Sequence, residues 1–303
     1  MMHRDGLQPL RQRDYALLRD YCAPAAGMLS ACHPVAVYLW QSSYRISWQL
    51  IAGCLCIFFE DSQGCFLYLP PLGGTLRREV IEACFAIMNA RNRNPAVSRI
   101  ENISAAERPF YAAQGLVLRD KQPEYVYARQ ALAELRGNRY KSPRAACNRF
   151  RRQWPQAVFR TYAPDDRAGC LALAAQWVAA RRGQCADSLY QAQLTDFQRA
   201  LGDFFKLSEL HAQPGWVVCI DGTVRAFLFG YGLSERMFCV LFEIGDLRYT
   251  GIAPYIFRQV CAGLPEYDLI NCMDDSYLES LRRAKQRYHP LLLSASYLAV
   301  QAR

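Results

Sequence analysis

The sequence has 303 residues, just over half of them apolar, which is long enough for two domains of ordinary size. Its net charge of +9 favours an anionic partner, such as nucleic acid, a phosphate-rich cofactor or an acidic membrane surface. The thirteen cysteines form no Cys-x-x-Cys pair, and the four histidines are not spaced with them as ligands, which argues against a disulfide framework and a metal site.

The apolar runs predict neither secretion nor a membrane span. The stretch MMHRDGLQPLRQRDY is charged where a secretion signal needs an apolar core. The longest apolar run, at 46–59, is shorter than the ~20 residues that a membrane-spanning helix needs. We therefore expect a cytoplasmic location, buried thiols and no transmembrane segment.

The first part of the chain has both helix and strand patterns. Apolar periodicity and turn residues predict a helix at 11–21 and strands near 35–40, 46–52 and 54–60. A further strand ends at Pro70, and glycines then lead into a helix with the sequence TLRREVIEACFAIMNAR. A strand, a glycine turn and a helix thus follow one another.

The second part repeats this order more completely. The predicted elements are a strand at 124–129, a basic helical segment at 130–153, a strand at 157–162, helices at 165–182 and 190–210, strands at 216–220, 224–230 and 236–243, a helix at 252–262, a strand at 267–271, a helix at 276–286 and a strand near 290–300. The Asp-Gly dipeptide at 221–222 marks a hairpin turn. This order predicts a mixed α+β fold with two related domains, at 1–122 and 123–303.

A short loop after the last strand of the meander has the pattern of a phosphate-binding loop. Arg248, Gly251 and Ala253 follow one another as Arg-x-x-Gly-x-Ala at the start of a predicted helix. Glycine lets the backbone approach a ligand closely, and the first N–H groups of a helix are free donors. An ordinary strand-to-helix turn is the alternative interpretation.

These elements resemble a known family. The meander followed by this loop resembles the GNAT acyltransferase fold, in which the loop binds the pyrophosphate of coenzyme A. More specifically, the chain is similar to the C-terminal domain of phosphatidylglycerol lysyltransferase, a tandem GNAT family related to the Fem-type aminoacyl transferases. The resemblance extends from about residue 35 to the C-terminus and rests on the segments YLPPLGG, EYVYARQALAELRGNRYKSPRAACNRF, IDGTVRAFLFG, LFEIGD and LINCMDDSYLESLRRAKQRYHP. It implies two tandem GNAT-like domains, each a mixed, largely antiparallel sheet flanked by helices.

Two blocks of the sequence match the family residue by residue. The matching residues with polar or aromatic side chains include Arg144 and Asn148 in the basic block, and Asn271, Asp275, Arg282, Lys285 and Tyr288 in the last block. Cys272 and Met273 stand where the family has arginine and glutamate. The resemblance implies that the matching residues contact substrate or take part in catalysis.

Acyl transfer needs a group that removes a proton from the acceptor and a group that stabilises the developing negative charge. Glu243 ends a central strand beside the glycine loop and is the first candidate base, with pairing to Arg248 as the alternative. By resemblance, Asp275 also assists proton transfer and Lys285 stabilises charge. Their structural alternatives are a helix N-cap and a partner of the helix dipole.

The segment 136–152 contains seven arginines and lysines and no acid, with aromatic residues among them. That mixture suits an RNA backbone with base stacking, although a solvated helix face is the alternative. Asn271 and Tyr288 have structural alternatives as well, a satisfied buried amide and a core ring.

Together these observations predict an acyltransferase that moves an aminoacyl group from aminoacyl-tRNA to an amine or hydroxyl acceptor, without a metal or a permanently bound cofactor. One alternative uses acyl-CoA as the co-substrate on the same fold. The other is a non-catalytic binding protein, which the residues Cys272 and Met273 favour. The acceptor can be a small molecule, a peptide or a lipid.

Overall fold

The computed structural model of the chain describes residues 6–25, 27–183 and 187–302. The chain divides into two compact units, Met1–Glu124 together with Ser294–Arg303, and Tyr125–Leu293. The strands are β1 (Gln8–Pro9), β2 (Arg45–Ile51), β3 (Cys54–Glu60), β4 (Cys65–Leu67), β5 (Arg99–Ser104), β6 (Leu116–Asp120), β7 (Glu124–Ala128), β8 (Val158–Thr161), β9 (Gly215–Ile220), β10 (Thr223–Ser234), β11 (Met237–Gly245), β12 (Leu269–Asn271), β13 (Leu292–Ser294) and β14 (Ser296–Gln301). The helices are α1 (Tyr15–Ala25), α2 (Pro34–Tyr38), α3 (Arg78–Arg91), α4 (Arg108–Ala113), α5 (Arg129–Glu134), α6 (Lys141–Gln153), α7 (Arg167–Arg182), α8 (Ser188–Ser208), α9 (Ile252–Ala262) and α10 (Glu279–Gln286).

The first unit contains a sheet with the strand order β1-β2-β3-β4-β5-β14-β6. Its β2–β3 hairpin turns at Ala52 and Gly53, which both have positive φ, as a tight two-residue hairpin turn requires. The pair β4–β5 is parallel, whereas the other pairs of this sheet that the described residues record are antiparallel. Helix α3 buries its apolar stripe, which the predicted periodicity had indicated.

The second unit contains a sheet with the order β13-β7-β12-β11-β10-β9-β8. The β9–β10 turn lies at Asp221 and Gly222, both with positive φ, as the Asp-Gly dipeptide predicted. One face carries a core beneath α9, which includes Leu228, Val240 and Ile256. On the opposite face, rings of α8 pack against Phe229.

The predicted strand at 35–40 is wrong, because residues 34–38 form helix α2. Pro34 lies in its first turn, and the His33 ring nitrogen Nδ1 accepts a hydrogen bond from the backbone N–H of Val35 at 3.3 Å. Every residue of this helix is buried. A short, wholly apolar run does not distinguish a buried helix from a buried strand.

The last residues of the chain also differ from the prediction, which placed everything from residue 123 onward in the second domain. Strand β14 lies between β5 and β6 and belongs to the first unit. Its pairing is set by partners about 180 residues away in sequence, so local pattern could not reveal it. The α+β class with two mixed sheets flanked by helices is confirmed.

Candidate active site

The second unit has an opening where two parallel strands separate. Strands β11 and β12 pair at only three positions, ending with Cys239 opposite Asn271. Beyond this point β11 continues to Gly245, while the chain after β12 follows β7 instead. The N–H of Cys272 donates to the Tyr125 carbonyl at 2.9 Å, and the N–H of Tyr125 donates to the Met273 carbonyl at 3.0 Å. The backbones therefore diverge, and side chains of both can meet in the gap.

A bulge in β11 turns Glu243 toward the α9 side of the sheet. Val240 pairs with Gly230 and Phe242 pairs with Phe229, which leaves Leu241 as an extra residue. Phe242 consequently packs against rings of α8. Glu243 lies opposite Leu228, whose side chain belongs to the core beneath α9. Without the extra residue, the alternation along the strand would place Glu243 on the other face.

The Glu243 carboxyl is exposed, yet protein surrounds it closely enough that desolvation raises its pKa to about 7. The nearby Lys285 ammonium acts in the opposite direction and lowers this pKa. Exposure combined with strong desolvation describes a carboxyl at the bottom of a concave surface. No described residue donates a hydrogen bond to it, so the expected alternative of a pair with Arg248 is not formed.

Lys285 lies on α10 and holds the loop that follows β12. Its ammonium donates to the backbone carbonyls of Cys272, Met273 and Asp274 and lies 5.5 Å from the Tyr125 ring. The Lys285 carbonyl accepts a hydrogen bond from the Tyr127 hydroxyl at 2.9 Å. Lys285 therefore fixes the opening on the side opposite β11, and its charge acts on Glu243 through space.

The loop after β12 contains three turns of the same kind. The side-chain oxygens of Asn271, Asp274 and Asp275 accept hydrogen bonds from the backbone N–H two residues later, at 2.6, 2.8 and 3.2 Å. Each of these later residues, Met273, Ser276 and Tyr277, has a positive φ, between 49° and 60°. Asx turns of this type stabilise left-handed conformations that side chains otherwise disfavour.

Asp275 is almost fully buried, and its oxygens are occupied. It accepts hydrogen bonds from the Tyr125 hydroxyl at 2.8 Å and from Arg282 at 2.9 Å, besides the N–H of Tyr277. Although burial raises its pKa, the donors Arg282 and Tyr125 outweigh burial and hold the pKa below its ordinary value. This geometry suits a positioning role for Asp275 better than proton abstraction, and Arg282 is its partner.

Cys272 and Tyr288 complete the surroundings of Glu243. Desolvation raises the pKa of the Cys272 thiol to about 12, so the thiol is protonated at neutral pH. Tyr288 packs edge-on against Phe257 at 5.2 Å, and burial raises the pKa of its phenol. Glu243 acts electrostatically on both groups. The structure thus brings together Glu243, Lys285, Cys272 and Tyr288.

The predicted phosphate loop has the expected strand-loop-helix setting, but its residues are engaged elsewhere. Arg248 forms an ion pair with the buried Asp246, its Nη2 lying 2.7 Å from the carboxylate. Gly251 has a φ of 93° and caps α9, and a Cβ there would lie 2.5 Å from the Ala146 carbonyl of α6. Ala253 lies in the first turn of α9. Close helix packing therefore explains the glycine without a ligand.

The basic segment forms α6 and the short turn before it. Arg144 donates to the carbonyls of Leu135 and Gly137, which supports the end of α5. Asn148 lines an open depression of about 420 Å³ on the helix surface together with Arg151 and Arg152. The exposed cations Lys141, Arg149, Arg151 and Arg152 form no ion pair with any described residue. Arg144 thus has a structural role, whereas Asn148 lies on an exposed cationic surface.

Sequence reasoning missed two residues that shape these sites. Tyr125 binds Asp275 and lies beside Lys285, and Asp246 holds Arg248. The alternation of tyrosines in EYVYA places Tyr125 and Tyr127 on one face of β7, a signal that pointed to this position. Within the described ranges, no three histidine, cysteine or acidic side chains lie together as metal ligands, and no helix is long and apolar enough to span a membrane.

Comparisons with known proteins match almost the whole chain. The model of the family described as phosphatidylglycerol lysyltransferase, C-terminal, matches residues 35–300. A conserved protein of unknown function from Bacteroides thetaiotaomicron has 20% identity and a TM-score of 0.86, with 98% of this chain and 99% of that chain covered. The structure of L-PGS from Bacillus licheniformis has 15% identity and a TM-score of 0.68, with 98% and 93% covered. No curated protein matches the sequence.

Proposed function

The chain belongs to the family of phosphatidylglycerol lysyltransferase C-terminal domains, and we propose that it is an acyltransferase that moves an aminoacyl group from aminoacyl-tRNA to an amine or hydroxyl acceptor. The family is named for an aminoacyl transfer, and its fold is present here from residue 35 to residue 300.

The observation that carries the proposal is the state of Glu243. With a pKa of about 7, this carboxyl is partly ionised at neutral pH, the condition in which it can both accept and return a proton. As the acceptor nitrogen or oxygen attacks the ester carbonyl carbon, Glu243 takes the acceptor proton. It then returns the proton to the ribose oxygen as the ester bond breaks. One carboxyl thereby serves both halves of the transfer.

Lys285 and the loop that it holds support this chemistry. The ammonium uses its hydrogen bonds on three backbone carbonyls, so its contribution to the reaction is a fixed positive charge near Glu243. Such a charge stabilises the negative oxygen that develops during attack, because a preorganised charge needs no reorganisation. Asp275 keeps Tyr125 and Arg282 in place below it.

The exposed face of α6 supports tRNA as the donor. Lys141, Asn148, Arg149 and Arg152 recur at spacings of three, four and seven residues and therefore share one face of the helix. A cationic helix face of this kind binds phosphate backbones without reading sequence. Arg151 widens the surface toward the depression of about 420 Å³.

Acyl-CoA is the second candidate donor, because Arg248, Gly251 and Ala253 lie in a loop that enters a helix. Two contacts disfavour it. Arg248 is paired with Asp246, and the Ala146 backbone occupies the space that Gly251 leaves free. A phosphate there would require both contacts to rearrange.

The test is transfer from charged tRNA to a surrogate acceptor. Purified protein is incubated with radiolabelled aminoacyl-tRNAs and hydroxylamine or a simple amine, and acyl product is measured above spontaneous aminolysis. Thermal stabilisation by tRNA and by coenzyme A, at two salt concentrations, identifies the ligand. Product formation with salt-sensitive stabilisation by tRNA supports the proposal. Salt-resistant stabilisation by coenzyme A with acyl-CoA turnover would replace it, and binding without any turnover would favour the non-catalytic alternative.

A further inference from the structure

The opening between β11 and β12 carries almost no net charge. Glu243 and Lys285 are its two charged groups of opposite sign, and they act on each other. Lys285 is held in place by the carbonyls of residues 272–274 and cannot move away to make room for another cation. A second ammonium in this space would therefore meet Lys285 at short range, and like charges in a desolvated site repel strongly.

The remaining polar groups around Glu243 are neutral. Cys272 presents a half-buried thiol at the end of β12, and burial holds the phenols of Tyr127 and Tyr288 in the protonated form. These groups offer weak dipoles and apolar surface, which suit an uncharged side chain. They do not supply a counter-ion.

The acids nearest to this opening are already engaged. Asp274 accepts hydrogen bonds from the N–H and hydroxyl of Ser276, and Asp275 is buried against Tyr125 and Arg282. A cationic substrate side chain would have to use Glu243 as its counter-ion. That pairing would occupy the carboxyl that the transfer needs as its base.

We propose that the aminoacyl group transferred by this site has an uncharged side chain, and that Cys272 at the end of β12 contacts that side chain and excludes cationic ones. This inference rests on the proposed function and deepens it by naming the class of donor. Every aminoacyl-tRNA carries the same α-amino group, so a comparison among donors isolates the charge of the side chain.

The experiment measures single-turnover transfer to hydroxylamine from alanyl-, seryl-, lysyl- and arginyl-tRNA, all prepared on the same scale. We expect the two neutral donors to react at least about tenfold faster than the two cationic ones, because an unpaired charge in a desolvated site is costly. Equal or faster transfer from lysyl-tRNA would overturn the inference and leave the proposed function standing. Failure of all four donors would instead overturn the proposed function.

Two variants test the role of Cys272. Cys272→Asp places a carboxylate beside the substrate and is expected to raise the lysyl-to-alanyl rate ratio at least about tenfold. Cys272→Ser is the matched control, since it keeps a small neutral group and should leave the ratio near that of the unaltered protein. Far-ultraviolet circular dichroism checks that both variants fold. An unchanged ratio in folded Cys272→Asp would overturn the assignment of Cys272 as the selecting residue.

Discussion

Glu243 shows how one inserted residue decides what a carboxyl can do. The extra residue Leu241 shifts the alternation of β11 so that Phe242 packs against α8 and Glu243 faces the opening beside Lys285. The sequence LFEIGD predicted a carboxyl at a strand end beside the loop. It did not predict the bulge, because the extra residue is defined by pairing with β10, a strand formed elsewhere in the chain.

The first prediction concerns the Glu243 carboxyl itself. Glu243→Gln keeps the shape of the side chain and removes its ability to accept a proton, so the transfer rate should fall roughly 100- to 10,000-fold. Single-turnover kinetics with charged tRNA measure this decrease. Affinity for tRNA, measured by filter binding, should stay unchanged. A Glu243→Gln protein with full activity would contradict the role of this residue as the base.

The second prediction is a pH dependence. Because the pKa of Glu243 is about 7, kcat/KM should rise with pH through about 7 as the carboxyl ionises. Lys285 lowers this pKa, so Lys285→Met should move the midpoint to higher pH. Lys285→Arg retains the charge and is the control, with a midpoint near that of the unaltered protein. An unshifted midpoint in Lys285→Met would contradict the coupling of the two groups.

The same group has a signature in folding stability. The pKa of Glu243 is about 7 in the folded protein and 4.5 is its ordinary value, so the folded state binds more protons between these values. The contribution of Glu243 to stability is therefore fully present below about pH 4.5 and disappears as pH rises through about 7. Denaturant unfolding across this range should be less pH-dependent in Glu243→Gln than in the unaltered protein.

At the scale of elements, the loop after β12 combines local and distant support. Its three Asx turns follow from local sequence, because Asn and Asp side chains bind the N–H two residues later. Its closure onto α10 does not, because Lys285 reaches back over more than ten residues to three carbonyls. The N-cap role that was the alternative for Asp275 is replaced by a buried contact with Tyr125 and Arg282.

The third prediction concerns the packing of α6 against α9. Gly251→Ala would force an alanine into a φ of 93° with its Cβ 2.5 Å from the Ala146 carbonyl. We expect the free energy of unfolding to fall by at least about 2 kcal/mol. Gly263→Ala, at the other end of α9, is the matched control, because Gly263 has a negative φ and its nearest neighbour lies 3.5 Å away. Equal stability of the two variants would refute the packing role.

The fourth prediction concerns the cationic face of α6. The double variant Arg149→Glu with Arg152→Glu should weaken tRNA binding at least about tenfold. It should also reduce the slope of log affinity against log salt by roughly 1 for each phosphate that the helix no longer neutralises. Arg119→Glu, an exposed cation on β6, controls for charge and should have little effect. Binding that is insensitive to the α6 double variant would remove this helix from the donor site.

At the scale of the whole molecule, the two sheets use their parallel strand pairs differently. In the second unit, β11 and β12 separate and leave Glu243 accessible. In the first unit, β4 and β5 pair at Leu67 and Ile100, and the Asn102 side chain then donates to the Tyr68 carbonyl at 2.8 Å. This amide bridges the strands just past their pairing. We therefore place the chemistry in the second unit.

The fifth prediction concerns the completion of the first sheet by the last strand. Truncation after Leu293 removes β14 from its place between β5 and β6, which leaves both strands with unpaired edges. Amide hydrogen exchange in β5 and β6 should accelerate strongly, whereas β10 and β11 should keep their protection. Truncation after Gln301 spares β14 and is the control. Undiminished protection of β5 and β6 in the shorter protein would contradict this arrangement.

Residue order and periodicity within single elements were sufficient to predict the α+β class, most elements, the family resemblance and the charge of α6. Contacts between distant parts of the chain set the remaining features. They turned Glu243 to the face of Lys285 through a bulge, occupied Arg248 with Asp246, filled the space beside Gly251 with α6, and assigned β14 to the first unit. Each of these features depends on residues whose proximity or direction local pattern does not encode.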